Sequence, residues 1–292
     1  MTMLIRTTIT SSNPEYVALR EHPRNAPLRE IAEHLWARFS PYADPSFPEL
    51  FAQHIHPRFW EMYLGVQLLE KGVNLVPKTS SHGPDVHARL ADQDVWIEAV
   101  APREGTGKDA VPFVEEKLSF EPIPEDKIIL RFTNAISEKL SKRTKYVQDG
   151  AIRPEDPYVI AVNGMGIQMT IFDGPLPAII KAVYPVSDYQ VTFNKETLQT
   201  ISEGYRTRPE ILKASGAPVP TNTFLNMANS GLSGALYSGA ALWHMPSEPG
   251  SEMIYVHNSV ASSRLPSGWL CSAREYYWEG NQLFLAQTPP CA

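Results

Sequence analysis

Cysteine is scarce in this chain. Only two cysteines occur in 292 residues, Cys271 and Cys291, and neither belongs to a Cys-x-x-Cys or Cys/His spacing. The N-terminal stretch MTMLIRTTITSS also lacks the apolar core of a signal peptide. Together, the cysteine usage and the N-terminal stretch favour a reducing, cytoplasmic setting.

The sequence also lacks a long apolar run and a large excess of one charge. The longest run without a charged residue, 214–247, is interrupted by prolines, glycines, asparagines and serines. A bilayer span needs about 20 consecutive, mostly apolar residues, so no membrane partner is expected. The net charge of -6 and the pI of about 5.8 give the chain as a whole no attraction to nucleic acid. A polyanionic partner would therefore have to bind a local patch.

Hydrophobic residues make up 43% of the chain, which is enough for a large core in one or two domains. The 26 prolines divide the chain into short elements, and no internal repeat is present. Apolar periodicity predicts a mixed α/β protein with helices and strands in alternation. The predicted helices are 27–39, 49–71, 126–148 and 176–183, and the predicted strands are 73–77, 85–90, 94–101, 157–164, 169–172, 235–243, 253–257 and 282–286.

A lone carboxylate interrupts the third predicted strand. Glu98 lies in the run Val95–Val100, and Asp85 opens the preceding strand 13 positions earlier. An ionised carboxylate is costly to bury unless it has a partner or holds a cation. If the two strands form a hairpin, the carboxylates of Asp85 and Glu98 can bind one hard cation such as Mg²⁺. Glu61, on the preceding predicted helix, can supply a third carboxylate.

Each acidic residue also has a simpler interpretation. Glu98 can form a salt bridge with Arg89 or Arg103, and the carboxylate of Asp85 can cap a turn. Glu61 can form an exposed ion pair with Arg58, and such pairs contribute little stability. The sequence leaves these alternatives open.

The same residues resemble the PD-(D/E)XK superfamily of restriction-endonuclease-like nucleases. Pro84-Asp85 matches the PD, Glu98-Ala99-Val100 stands where (D/E)XK belongs, and Glu61 matches an acidic residue on the helix before the first strand. The resemblance covers about 49–164 and implies a core of helix, three strands, helix and strand. It also implies a metal-dependent nuclease that hydrolyses phosphodiester bonds, with Mg²⁺, or Mn²⁺ as a substitute, held by Glu61, Asp85 and Glu98.

The chain departs from the superfamily at the motif lysine, which is replaced by Val100. Some members of the superfamily carry the equivalent positive charge on the following helix. There, Lys139 and Lys142 flank the apolar stripe of the predicted helix, and Lys139 lies closer to it. The resemblance therefore implies Asp85, Glu98 and Lys139 as the catalytic residues.

The helix 126–148 carries a local excess of positive charge. Six basic and two acidic residues lie between Asp126 and Tyr146, in an otherwise acidic protein. This surface is either an ordinary solvated face or a contact with nucleic-acid phosphates, with DNA favoured and RNA as the alternative. The predicted nucleic-acid contacts are Arg131, Lys142, Arg143 and Lys145.

The expected organisation has three parts: an N-terminal helical extension (1–48), a nuclease-like core (49–165) and a C-terminal α/β elaboration (166–292). Loss of the motif lysine supports an alternative function, a catalytically inactive nuclease fold that binds nucleic acid or protein. The sequence leaves open whether the chain forms a homodimer. His257 and Asn258 are interpreted as turn residues at the end of a strand.

Overall fold

The computed structural model describes residues 3–78, 82–113, 122–271 and 273–287. Its N-terminal part contains helices α1 (Pro14–Glu21), α2 (Ala26–Phe39), α3 (Phe47–Gln53) and α4 (Ile55–Glu70). Helix α2 matches the predicted helix 27–39 to within one residue.

The single helix predicted over 49–71 is wrong, because the chain breaks between α3 and α4. At the break, His54 has φ -138° and ψ 66°. Pro57 has no N–H to donate to the Gln53 carbonyl, so a continuous helix would lose that bond. The side chain of Asn13 instead donates to this carbonyl at 2.9 Å.

The central region gives the predicted order of helix, three strands, helix and strand. Strands β1 (Asn74–Leu75), β2 (Val86–Leu90) and β3 (Gln93–Val100) are followed by helix α5 (Glu125–Gln148) and strand β4 (Tyr158–Asn163). Strand β1 is shorter than predicted. Strands β2 and β3 pair as an antiparallel hairpin, whereas β3 and β4 are parallel.

The C-terminal part extends the same sheet beyond residue 165. Strand β4 pairs with a parallel neighbour from this part, and the sheet contains eight strands within the described residues. The elements are α6 (Ala178–Val183), β5 (Val186–Phe193), β6 (Thr200–Thr207), β7 (Glu210–Leu212), β8 (Pro218–Pro220), β9 (Gly234–Ser238), β10 (Ile254–His257), β11 (Arg274–Glu279) and β12 (Gln282–Gln287). The sheet order is β1-β2-β3-β4-β9-β10-β11-β12, while β5–β6 and β7–β8 form separate two-stranded sheets.

The strand predicted at 169–172 is also wrong. Residues Gln168–Phe172 form a short 3₁₀ helix. The hydroxyl of Thr170 donates to the carbonyl oxygens of Gly164 and Ile167, both at 2.9 Å, and these bonds hold the tight turn. A side chain that bonds the local backbone in this way competes with strand pairing.

Two apolar layers cover the two faces of the sheet. On β3, Val95 and Ile97 pack against the layer that contains α1 to α4, whereas Trp96 and Val100 pack against the layer that contains α5 and α6. Successive side chains of a strand point to opposite faces. Glu98 therefore points toward α5.

Two observations bear on the setting of the chain. Among the described residues, no helix is long and apolar enough to cross a membrane. Cys271 is disulfide-bonded, and the described residues contain no free cysteine. A disulfide gives no support to the expected reducing compartment, so the cytoplasmic location stays a prediction.

Candidate active site

Glu98 is fully buried, and its carboxylate is neutralised by two lysines. Its side chain is 0% exposed. Oε1 accepts hydrogen bonds from Nζ of Lys139 at 2.8 Å and from Nζ of Lys142 at 2.5 Å. Oε2 accepts from the hydroxyl of Tyr146 at 3.3 Å. A buried charge needs such partners, and these three donors explain why the apolar strand β3 tolerates a carboxylate.

Neither of the alternative arginine partners, Arg89 and Arg103, appears among the ion pairs of Glu98 in the described ranges. Arg89 forms its ion pair with Asp94, at 2.8 Å, across the β2–β3 hairpin. The donors come instead from α5, where Lys139, Lys142 and Tyr146 are spaced by three and four residues. This spacing places side chains on one side of a helix, and that side covers the β3 strand.

Asp85 lies directly beside Glu98. The hairpin register pairs Val86 with Ile97, so Asp85, one residue earlier, stands opposite Glu98. Its Oδ2 accepts a hydrogen bond from the backbone N–H of Ala99 at 2.9 Å. Burial raises the pKa of Asp85 and the charge of Glu98 raises it further, whereas nearby lysines lower it. The two carboxylates therefore interact electrostatically.

Glu61 approaches the same region from α4. It is buried, not exposed as the ion-pair alternative assumed, although Nη1 of Arg58 does lie 2.5 Å from its Oε2. Oε1 has no hydrogen-bond partner, and Nζ of Lys78 lies 3.6 Å from it. Burial, followed by the charge of Asp85, raises the pKa of Glu61 to about 7. Glu61 thus stands in electrostatic contact with Asp85.

The three carboxylates partly fit a divalent cation. Carboxylate oxygens are the ligands that Mg²⁺ prefers, and the pKa values of Glu61 and Asp85 are raised first by burial and then by a neighbouring carboxylate, whose repulsion a bound cation would relieve. The buried Oε1 of Glu61 also has no donor. Over the described ranges, however, no group of three or more His, Cys, Asp or Glu residues is arranged to hold a metal ion. The fit is therefore to the pair Asp85–Glu98, with Glu61 nearby.

Solvent reaches this region through the lysines. The side chain of Lys142 is 45% exposed, and that of Lys139 is 18% exposed. Four cavities formed by the described residues have volumes between about 310 and 790 Å³, and neither Asp85 nor Glu98 lines any of these four. The candidate site is therefore a buried carboxylate cluster whose lysine partners reach the surface.

The four predicted nucleic-acid contacts lie on α5 and differ in their partners and exposure. Lys142 lies at Glu98, as described above. Arg131 donates from Nε to the carbonyl of Arg103 at 2.8 Å, and Arg143 donates from Nη2 to the carbonyl of Pro154 at 2.8 Å. Lys145 is exposed. Of these four basic residues, Lys142 and Lys145 are the ones exposed to solvent.

Sequence reasoning missed two members of the cluster. Tyr146 was detectable, because it lies four residues after Lys142 on the same predicted helix. Lys78 was not, because its proximity to Glu61 depends on the path of the chain between β1 and β2. Lys78 also lies 3.5 Å from Asp44, in the loop between α2 and α3.

Comparisons with protein-family models, with curated proteins and with solved structures find no match to this chain. The resemblance to the PD-(D/E)XK superfamily thus depends on Glu61, Pro84-Asp85, Glu98 and the order of elements. It stays a prediction.

Proposed function

We propose that the chain hydrolyses phosphodiester bonds of DNA or RNA in a metal-dependent reaction of the PD-(D/E)XK type. One observation carries the proposal: Asp85 stands opposite Glu98 on a β-hairpin, and a lysine from the covering helix contacts Glu98. The element order from α4 to β4 supports a restriction-endonuclease-like core.

In this proposal, Asp85 and Glu98 hold Mg²⁺, or Mn²⁺ as a substitute, and Glu61, whose Oε1 has no hydrogen-bond partner, adds negative charge beside this pair. When bound, the cation supplies Lewis-acid stabilisation of the phosphate and lowers the pKa of a bound water. The protein itself positions these carboxylates on secondary-structure elements that hold them in place. The bond from the Ala99 N–H to Asp85 fixes that carboxylate relative to β3.

Lys139 and Lys142 supply positive charge beside these carboxylates. Preorganised cations stabilise charge that develops on a phosphate in the transition state. Lys139 is the more enclosed of the two, so it takes the role of the motif lysine that Val100 replaces. Lys142 is more exposed and suits contact with the substrate backbone.

The basic side of α5 offers the approach for the nucleic acid. Lys142 and Lys145 are exposed there, and contacts to phosphate rest mainly on Lys and Arg. The net charge of -6 provides no attraction from the rest of the chain. Binding should consequently weaken steeply as salt is raised.

The experiment is a cleavage assay on duplex DNA, single-stranded DNA and RNA, with Mg²⁺, Mn²⁺ or EDTA present. The proposal expects cleavage with either metal, none with EDTA, and loss of cleavage in Asp85→Asn and Glu98→Gln. Circular dichroism establishes that both variants remain folded. Asp94→Asn, on the same hairpin, is the matched control. Activity that survives EDTA or both site variants would contradict the proposal.

One observation favours a second candidate, a nuclease fold without activity that binds nucleic acid or protein. Glu98 already has two lysine partners, which can neutralise it without a metal. Calorimetry with Mn²⁺ separates the candidates. A folded chain that binds duplex DNA or RNA but neither binds Mn²⁺ nor cleaves would favour the binding module.

A further inference from the structure

The hairpin β5–β6 carries an apolar surface that the described part of the chain leaves uncovered. In this part, β5 and β6 pair only with each other and form a separate two-stranded sheet. The base of the hairpin is fixed to the rest of the structure by two ion pairs. Nζ of Lys181 lies 2.5 Å from Oδ1 of Asp188, and Nη1 of Arg208 lies 2.7 Å from Oδ1 of Asp126. Beyond the base, nearly every residue of both strands is exposed.

The exposed apolar residues share one face of the hairpin. Tyr189, Val191 and Phe193 alternate along β5, and Tyr205 stands opposite Tyr189, with ring centroids 5.2 Å apart. We call Tyr189, Val191, Phe193 and Tyr205 the hairpin face. An isolated two-stranded hairpin is at best marginally stable in water and needs packing on one face.

The tip of the hairpin extends this surface. Leu198 is 78% exposed and has φ +57°, a conformation that is costly for a leucine. The turn is fixed by the Asn194 side chain, which accepts from the N–H groups of Glu196 and Thr197 at 2.8 and 3.1 Å. Ile201, at the β-bulge near the tip, is 65% exposed. A rigid turn therefore presents an apolar tip.

The area is large enough for a specific interface. Leu198, Ile201 and the four residues of the hairpin face are 39 to 78% exposed. For side chains of this size, that corresponds to an apolar surface on the order of 600 Å². Monomers seldom expose an apolar patch larger than a few hundred Å². Two such surfaces together reach about 1,200 Å², the lower limit of stable protein interfaces.

The charges around the hairpin suit an identical partner better than a polyanion. Apart from Asp188, which Lys181 neutralises, the strands and turn carry Lys195 and Arg206 against Glu196 and Glu203. A phosphate backbone needs an excess of cations, which this segment lacks. In a two-fold interface the same surface meets itself, so each copy supplies both signs of charge.

We propose that the hairpin β5–β6 is a self-association surface that joins two copies of this chain. The hairpin face of one copy packs on that of the second, and Glu203, opposite Val191 on this face, is neutralised by Arg206 or Lys195 of the other copy. This inference is independent of the proposed nuclease activity.

Sedimentation velocity of the full chain between about 1 and 100 µM tests the proposal. The wild type should show a concentration-dependent dimer. The variant Phe193→Thr with Leu198→Asn should weaken dimerisation by at least about 10-fold, as expected when interface anchors are removed. Threonine suits a strand and asparagine tolerates the positive φ, so the hairpin should remain folded.

The matched control is Gln190→Ser with Thr192→Ser, on the opposite face of β5, which should leave the dimer intact. Circular dichroism checks the fold of both double variants. A wild type that stays monomeric at 100 µM would overturn the proposal. The proposal would also be contradicted if the variant Phe193→Thr with Leu198→Asn dimerised as tightly as the wild type. The same holds if the hairpin bound nucleic acid but did not join two copies of the chain.

Discussion

Nζ of Lys139 lies 2.8 Å from Oε1 of Glu98, although 41 residues separate the two in sequence. This ion pair joins helix α5 to strand β3. Because Lys142 contacts the same oxygen, the buried carboxylate has two cations for one negative charge. Asp85 lies beside this pair, so the two lysines face two carboxylates, and the partly exposed Lys142 stands at the solvent edge, where it can contact a phosphate.

Replacing Lys139 tests its proposed catalytic role. We expect Lys139→Met to lower the single-turnover cleavage rate by about 100-fold or more, as the loss of one transition-state donor typically does. Metal binding should persist, because the carboxylates remain. Lys213→Met, at an exposed position in the turn between β7 and β8, is the control and should retain a rate near that of the wild type. Cleavage by Lys139→Met at the wild-type rate would remove Lys139 from the mechanism.

Asp85→Asn tests the proposed metal site without a change of shape. Asparagine can still accept the hydrogen bond from the Ala99 N–H through its Oδ1. We expect calorimetric Mn²⁺ affinity to fall by at least about 100-fold, since even outer-shell partners of a metal are worth 10- to 100-fold. The control Asp94→Asn changes a carboxylate whose partners are His87 and Arg89. Equal affinities in the two variants would contradict the site.

Glu61 should make the stability of the fold depend on pH. Its pKa is raised from 4.5 to about 7 in the folded chain, mainly by burial. The stability that protonated Glu61 gives the folded chain is therefore fully present below about pH 4.5 and is lost as the pH rises through about 7. Between pH 5 and 8, the free energy of unfolding of the wild type relative to Glu61→Gln should fall by roughly 2 to 3 kcal/mol.

Urea unfolding at several pH values provides this measurement, and Glu49→Gln serves as a control at a half-exposed position. Parallel pH profiles for the wild type and Glu61→Gln would show that Glu61 has an ordinary pKa. The raised pKa also predicts that Mg²⁺ binds more tightly at pH 8 than at pH 6, because binding requires the ionised carboxylate.

The fold was largely predictable where apolar periodicity is strong. Helices α2 and α5 and strands β2 to β4 match their predicted positions closely. The break at His54 was missed, because the apolar spacing continues across it and only Pro57 marks the lost hydrogen bond. Strand β11 was missed as well, since its sequence REYYWE has adjacent aromatic residues and no alternation. Strands β5 to β8 were missed too, and although Tyr189, Val191 and Phe193 alternate along β5, these residues are exposed rather than buried.

The site was predictable to the extent that spacing alone defines it. The hairpin register brings Asp85 opposite Glu98, and helical spacing brings Lys139 to the same face of α5. The position of Arg143 was not predictable, because its partner is the carbonyl of Pro154 in a loop whose path is set by tertiary packing. The same reason applies to Lys78, which approaches Glu61 from an irregular segment.

Gly166 tests how closely the chain segments that follow β3 and β4 approach each other. A Cβ at Gly166 would lie 2.2 Å from the carbonyl oxygen of Pro102, and this backbone atom cannot easily move away to relieve the clash. We expect Gly166→Ala to destabilise the chain by about 1 to 3 kcal/mol, the usual cost of overpacking. Gly174→Ala, with nothing within 4 Å of its Cβ, should unfold at nearly the wild-type urea concentration. Equal midpoints for the two variants would contradict this close approach.

The most direct test of the central claim is anomalous scattering from crystals soaked in Mn²⁺. We expect one peak about 2 to 2.5 Å from carboxylate oxygens of both Asp85 and Glu98, the range of distances found for Mg²⁺ and Ca²⁺ ligands. The opposite result is a site without a peak at high Mn²⁺, in which Lys139 and Lys142 still contact Glu98. That result would contradict the shared metal site.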